Sequence, residues 1–277
     1  MKTYLHAGAV LLALLAFSTA TRAEDKIKSL CDVHYPSDTH IESSCLLLKW
    51  TDTPSALFGA NWPDVLRFNR MDRRHFIGGV SIKVPKRMEE IKNFSPLPQS
   101  YPNAKSEAKF ILVDQSETFL GAYEYGKLVQ SFPAAVGVKG HRVPNGNFRI
   151  DAADARHSSK SYQMEEIGRP YPMHFGLRYF VDKKSPDWDS YWIHGRDVPG
   201  YPASHGCIGL YDEQMQYDYY NAYDKKVNKA NYHPLEKPFL AAAQSLYLWA
   251  VPTLGDKGNF RTVKNGPRVL IIGEPSL

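Results

Sequence analysis

The chain has 277 residues, 43% of them hydrophobic and 23% charged, with a formal net charge of +5. That is apolar material for one sizeable domain plus a small one, and 17 Tyr with 13 Phe exclude disorder as a whole-chain state. The mild positive balance suits a partner bearing carboxylates or phosphates, and without a dense Lys/Arg stripe it makes no case for nucleic acid.

Residues 1–23 read as an export signal. Lys2 supplies the positive start, Ala7 to Phe17 is a small-and-apolar run too short to span a bilayer, and small residues end it at Ala20 and Ala23. Membrane contact is then expected only during export, and an uncleaved anchor is the competing reading. Export changes the meaning of the three cysteines, Cys31, Cys45 and Cys207. In an oxidising compartment an odd count leaves one thiol over. Cys31 and Cys45 share one short stretch and are the expected disulfide, worth about 3 kcal/mol through loop entropy. Cys207 is left free. The competing reading keeps all three reduced, with Cys207 a buried core residue.

Residues 24–85 read as a small α+β module. Leu46 to Trp50 forms a strand, and helical spacing follows over Pro54 to Gly59 and over Trp62, Val65, Leu66 and Phe68. Val80 to Val84 alternates as a strand and is closed by Pro85. This strand–helix–helix–strand order, with Asn69 and the Val80–Pro85 ending, resembles the lysin motif. The turn Thr51-Asp52-Thr53 departs from that pattern. The resemblance implies a glycan-binding role, and the alternative is a packing appendage without ligand. Residues 86–108, with Pro96, Pro98 and Pro102 among polar residues, read as a partly extended linker.

From Lys109 onward the chain is strand-rich. Phe110–Val113, Thr118–Tyr125, Leu128–Val136, Asn147–Ile150, Met173–Val181, Tyr191–His194 and Val269–Ile272 read as strands. Asp151 to Ile167 reads as loop, Asp212–Tyr220 as helix-compatible, and Pro238–Val251 as the best helix. Many short strands with few helices predict a mainly β sandwich or barrel over residues 109–277.

The chemistry concentrates in Tyr191 to Leu210, YWIHGRDVPGYPASHGCIGL. A short apolar strand delivers His194 to its end, a Pro/Gly-rich loop folds back, and Ser204-His205-Gly206-Cys207 enters a second strand. Strand ends side by side bring His194 and Cys207 together. An imidazole can then take the thiol proton and leave a strong nucleophile. Gly206 lets a substrate carbonyl approach the backbone amides from His205 to Cys207. A rival reading is a metal site built from His194, His205 and Cys207 with Asp197 or Asp212, although the usual ligand spacings are absent. His141, His157, His174 and His233 lie scattered in polar or loop text, and only His174 is expected near the site.

Ile193-His194-Gly195 followed by Ser204-His205-Gly206-Cys207-Ile208 resembles the signature of the L,D-transpeptidases, bacterial wall enzymes. Pro170-Tyr171-Pro172-Met173 and Pro267 to Gly273 are similar too, so the resemblance covers roughly residues 109–273. It implies a β-rich fold, a nucleophile at Cys207, a base at His194 and a ring-holding carbonyl at Gly195. His205 and Gly206 would shape the oxyanion loop, and no cofactor or metal is expected. Ser204 and Arg196 are the expected substrate-binding residues. The partner it implies is the peptidoglycan stem peptide, with glycan for the N-terminal module, in the periplasm or cell envelope. The product would be a 3→3 cross-link; hydrolysis by water or attachment of a protein amine uses the same thioester. A catalytically inactive wall-binding protein is the alternative of a different class. One departure concerns substrate binding: the family usually carries Arg two residues after its cysteine, where this chain has Gly209.

Overall fold

The computed structural model describes residues 27–164, 169–186, 188–213, 215–216, 242–255 and 258–276. The expected export segment lies outside the described residues, as do 217–220 and 238–241, the ends of two predicted helices. The chain is mainly β. In order, the strands are β1 (Ser43–Leu47), β2 (Ser81–Pro85), β3 (Phe110–Asp114), β4 (Phe119–Glu124), β5 (Lys127–Ala135), β6 (Gly146–Arg149) and β7 (Ala152–Asp154). There follow β8 (Ser158–Met164), β9 (Arg169–Pro172), β10 (Gly176–Val181), β11 (Ser190–Arg196), β12 (Ile208–Tyr211), β13 (Arg261–Thr262) and β14 (Arg268–Ile272). The segment read as loop from Asp151 to Ile167 thus holds β7 and most of a hairpin. In β8 the consecutive residues Ser161, Tyr162 and Gln163 are all exposed, and composition alone does not separate so wet a strand from a loop.

Ten strands form one sheet in the order β13-β7-β10-β11-β12-β5-β4-β3-β14-β6. The sheet curls until Phe148 of β6 meets Tyr179 and Phe180 of β10, with ring centroids 5.4 and 5.2 Å apart. Most pairs are antiparallel, but β11 runs parallel to β12 and β14 parallel to β3. The curl encloses a core that includes Ile111, Leu120, Ile193, Ile208, Leu210 and Val269. Helix Ala242–Ala250 covers it through Leu246 and Tyr247. Among the described residues no helix is long and apolar enough to cross a membrane.

At the N-terminal end, β1 and β2 pair antiparallel around two short helices, α1 (Pro54–Phe58) and α2 (Trp62–Phe68). Thr53 starts α1: its Oγ1 accepts from the Ala56 amide at 3.3 Å, and Pro54 takes the first helical position. In α2 the predicted face, Trp62, Val65, Leu66 and Phe68, is buried. Cys31 and Cys45 form a disulfide, and Cys207 is free.

The module packs directly on the sheet. Phe68, Phe94 and Phe119 stack edge to face in a row, with centroids 5.3 and 5.9 Å apart. The segment read as a linker lies within that packing, with Phe94, Leu97 and Ala104 buried. Arg70 is fully buried and donates to Asp38 at 2.6 Å and to Glu117 at 3.1 Å, with its guanidinium 4.0 Å from the Tyr35 ring. Lys83 pairs with the same Asp38. A buried charge stripped of its partner is costly, so this network ties the module to the β3–β4 turn.

A second tie reaches the loop that follows β11. The Asp72 amide donates to the Val198 carbonyl at 2.7 Å, and the Val198 amide returns a bond to Asp72 Oδ2 at 2.8 Å. Gln216 donates to the same oxygen at 2.8 Å, and His75 Nδ1 lies 2.9 Å from Asp72 Oδ1. The Tyr35 hydroxyl donates to the Gly200 carbonyl at 2.7 Å. Burial opposes ionisation of Asp72, but His75 and the bonds from Val198 and Gln216 outweigh it and hold the carboxyl below its usual range. Burial likewise opposes charging of His75, and the Asp72 carboxylate overcomes it and raises the imidazole.

Those shifts make a prediction. Asp72 contributes stability above its unfolded pKa of about 3.9, lost as pH falls through the depressed folded value; His75 contributes below about 6.5, lost as pH rises through the raised one. Asp72→Ala is therefore expected to cost about 2–4 kcal/mol. The gap to wild type should be widest between about pH 4 and 6.5. Urea unfolding at several pH values checks this; a gap independent of pH would mean the pair is not ionised.

Candidate active site

β11 and β12 bring the reactive residues to one face of the sheet. Their register pairs Ile193 with Ile208, His194 with Gly209 and Arg196 with Tyr211. Side chains alternate along a strand. Ile193, Ile208 and Leu210 enter the main core. Trp192 faces the other way, and Cys207 packs against it. His194 and Arg196 share the Trp192 face, so the histidine stands beside Gly209, two residues on from the cysteine.

His194 is 4% exposed, and its Nδ1 lies 2.8 Å from the carbonyl of Gly195. A carbonyl only accepts, so Nδ1 carries the proton and Nε2 is left as the base. The Gly195 amide in turn donates to the His174 carbonyl at 2.7 Å, which anchors the ring-holding peptide. His174 thus lies at the site, as sequence suggested, and contributes through its backbone.

The cysteine turn is pinned from below. The Ser204 hydroxyl donates to the Cys207 carbonyl at 2.6 Å, and Ser204 is 1% exposed. Its backbone is bonded to Val136 and Val138 at 2.9 Å each. Ser204 was expected to touch substrate; the structure corrects that, because the buried hydroxyl is already committed to the turn. Gly206 has φ 111, a conformation L side chains rarely adopt, and a Cβ there would lie 3.1 Å from the Tyr191 ring. His205 is exposed, its ring 5.0 Å from that of His141 and 5.2 Å from that of Tyr162.

Electrostatics keep both reacting groups neutral at rest. Burial pushes the Cys207 thiol up to about 11, against smaller opposing effects from the Trp192 backbone amide and the Arg196 charge. Burial pushes His194 down to about 3, with Arg196, His157 and His174 acting in the same direction and the Gly195 bond opposing. The site therefore holds a thiol and an imidazole, not a thiolate–imidazolium pair.

Three features escaped the sequence. His157, read as a loop residue, stacks on Trp192 with centroids 4.0 Å apart. Tyr179 is buried beside the thiol, and its hydroxyl has no hydrogen-bond partner among the described residues. Asp72 holds the loop after β11 from 126 positions away. None of the three carries a local signal, since each meets the site only through sheet order or module packing.

The pH behaviour of the thiol follows. Cys207 is the free cysteine, so alkylation reports on it alone. With a thiol near 11, the folded protein should react with iodoacetamide at pH 7 at least about tenfold more slowly than the urea-unfolded chain. Its rate should rise about tenfold per pH unit up to pH 10. A plateau near pH 7 would show a preformed thiolate.

The family model of the L,D-transpeptidase catalytic domain (YkuD) matches residues 108–228, which include His194 and Cys207. No curated protein sequence matches the chain. Among solved structures, the L,D-transpeptidase (residues 123–326) from Xylanimonas cellulosilytica is 19% identical, with TM-score 0.41, covering 75% of this chain and 78% of its own. The L,D-transpeptidase from Stackebrandtia nassauensis is 14% identical, with TM-score 0.38 and coverages of 79% and 69%. That from Mycobacterium smegmatis is 12% identical, with TM-score 0.36 and coverages of 60% and 58%, so the chain spans less than two thirds of that protein.

Proposed function

Since residues 108–228 match the L,D-transpeptidase catalytic domain, we propose that this chain is a cysteine acyltransferase acting on peptidoglycan stem peptides in the cell envelope. The observation that supports it best is the tautomer: the Gly195 carbonyl leaves His194 Nε2 as a base on the strand beside the one Cys207 opens. Cys207 Sγ bonds to the scissile carbonyl carbon while its proton moves to His194. Backbone amides of the Gly206 turn stabilise the oxyanion, each such donor lowering the barrier by roughly 3 kcal/mol. The tetrahedral intermediate expels the terminal residue's amine, which takes the proton from His194, and leaves a thioester. An amine from a second stem attacks the thioester, passes its proton to His194, and restores the thiol, giving a 3→3 cross-link. Water in place of the amine makes the same site a carboxypeptidase, and a protein lysine makes it a protein-to-wall ligase.

The N-terminal module fits a glycan-binding role in this reading. Trp50, at the turn after β1, is 83% exposed, with Leu57 and Ile77 also exposed in the same module. Exposed apolar surface of this kind marks an interaction site, and an aromatic face suits a sugar ring. Trp50→Ala is expected to weaken co-sedimentation with purified sacculi while leaving turnover of a soluble stem peptide intact. Unchanged sedimentation would leave the module a packing element.

Incubating the purified protein with muropeptides and reading the products by mass spectrometry tests the catalytic proposal. A 3→3 dimer supports transpeptidation, and a tripeptide with released D-alanine supports hydrolysis. Cys207→Ala should abolish both, a thiol reagent should do the same to wild type, and a chelator should do nothing. Turnover by Cys207→Ala would overturn the cysteine mechanism.

A further inference from the structure

The space above Gly209 is occupied. An ideal Cβ on Gly209 would lie 2.1 Å from Arg196 Cγ and 2.2 Å from Arg196 Cδ. Contacts that short do not occur, so no side chain at 209 coexists with Arg196 where it stands. The register explains the overlap. Arg196 is two residues past His194, the strand partner of Gly209, and its stem leans back across the neighbouring strand. A Cβ on Gly209 would also meet the Ala135 Cβ of β5 at 3.3 Å, so small residues on both flanking strands leave the channel the stem fills.

The guanidinium is poorly provided for. Arg196 is half-buried, and its Nε is shut off from solvent with no hydrogen-bond partner among the described residues. A guanidinium carries five donors in a planar fork matched to a carboxylate. Leaving the buried Nε donor of such a group unpaired is unfavourable unless a ligand completes it. Its charge lowers both the Cys207 thiol and the His194 imidazole, so it stands close to the reacting atoms. The backbone that carries it is rigid, because Val198 is clasped by Asp72 and Gly200 by Tyr35.

We propose that Arg196, laid across Gly209, is the receptor for the terminal carboxylate of the donor peptide, and that residue 209 is glycine because the stem of Arg196 needs its side-chain space. This rests on the acyl-transfer reading above. The bond broken in that reaction joins the terminal residue to the one before it, so the free carboxylate lies one residue, about 3.8 Å along the chain, beyond the attacked carbonyl. Arg196 is set about 6.6 Å along β11 from the base. A guanidinium there pairs with that carboxylate in bidentate fashion while the carbonyl sits over Cys207.

Two donor peptides test it, one ending in a free carboxylate and one in a carboxamide. Wild type should favour the carboxylate donor. Arg196→Ala should lower kcat/KM for that donor about tenfold or more, chiefly through KM, and leave the carboxamide donor within about twofold. Gly209→Ala, which leaves Arg196 in the chain but displaces it, should produce the same selective loss. Arg196→Ala combined with Gly209→Arg should recover much of the preference. Equal losses on both donors, or a Gly209→Ala variant that behaves as wild type, would overturn the proposal. Calorimetric binding of the two peptides to Cys207→Ala separates this inference from the reaction itself. Arg196-dependent preference for the carboxylate there, without turnover in wild type, would sink the acyl-transfer reading and leave the receptor standing. Equal affinity for the two peptides would sink the receptor.

Discussion

The site depends on the parallel pairing of β11 with β12. Parallel neighbours cannot be joined by a tight hairpin, so the chain must leave the end of β11 and travel back before β12 begins. The loop from Asp197 to Cys207 makes that journey within the site itself. Arg196 stands just before it and Cys207 at its end. A free loop of this length would blur both positions. Here the backbone is bonded at Val198 to Asp72, at Gly200 to Tyr35, and at Ser204 to Val136 and Val138. The N-terminal module therefore does structural service to the catalytic loop, whatever else it binds.

Burial sets the chemistry of the same loop. A thiol near 11 and an imidazole near 3 are both neutral across the ordinary pH range. Such a pair gives little thiolate at rest, so it reacts slowly with stray oxidants and alkylators, which attack the thiolate. In the proposed acyl transfer, activation requires a substrate whose carbonyl accepts the sulfur while His194 accepts the proton. Arg196 biases that balance toward thiolate, and a carboxylate bound on Arg196 would offset the bias. Burial and a single nearby cation thus govern both reactivity and recognition.

Much of the site was legible in the residues. The block Ser204-His205-Gly206-Cys207 and the pair His194-Gly195 marked the candidate site, and the Gly195 carbonyl does meet the His194 ring. The strands in the second half were legible as short apolar runs bounded by turn residues, and several are buried on both faces. The β7–β8 segment was not, because β7 is only three residues long and the exposed polar text of β8 imitates a loop. Ser204 was misassigned for a related reason: a hydroxyl serves a turn or a substrate equally well, and only burial distinguishes them. Tyr179 reaches the site because β10 lies beside β11, and His157 because β7, which it follows, lies beside β10, neighbour relations that strand patterns do not state.

The sequence by itself determined the chemical vocabulary: one thiol left over from a disulfide-capable pair, an imidazole before a glycine, a turn that needs Gly206, and an Arg missing at 209. These are local facts, decided by side-chain type and spacing of a few residues. Only the tertiary structure decided where the missing side chain's space went. Arg196 lies over Gly209 because two successive strands run parallel in a given register, and that register comes from packing of Ile193, Ile208 and Leu210 into a common core. The same packing set the neutral charge state of the site, since desolvation is a property of what surrounds a group in space, and no stretch of sequence contains it.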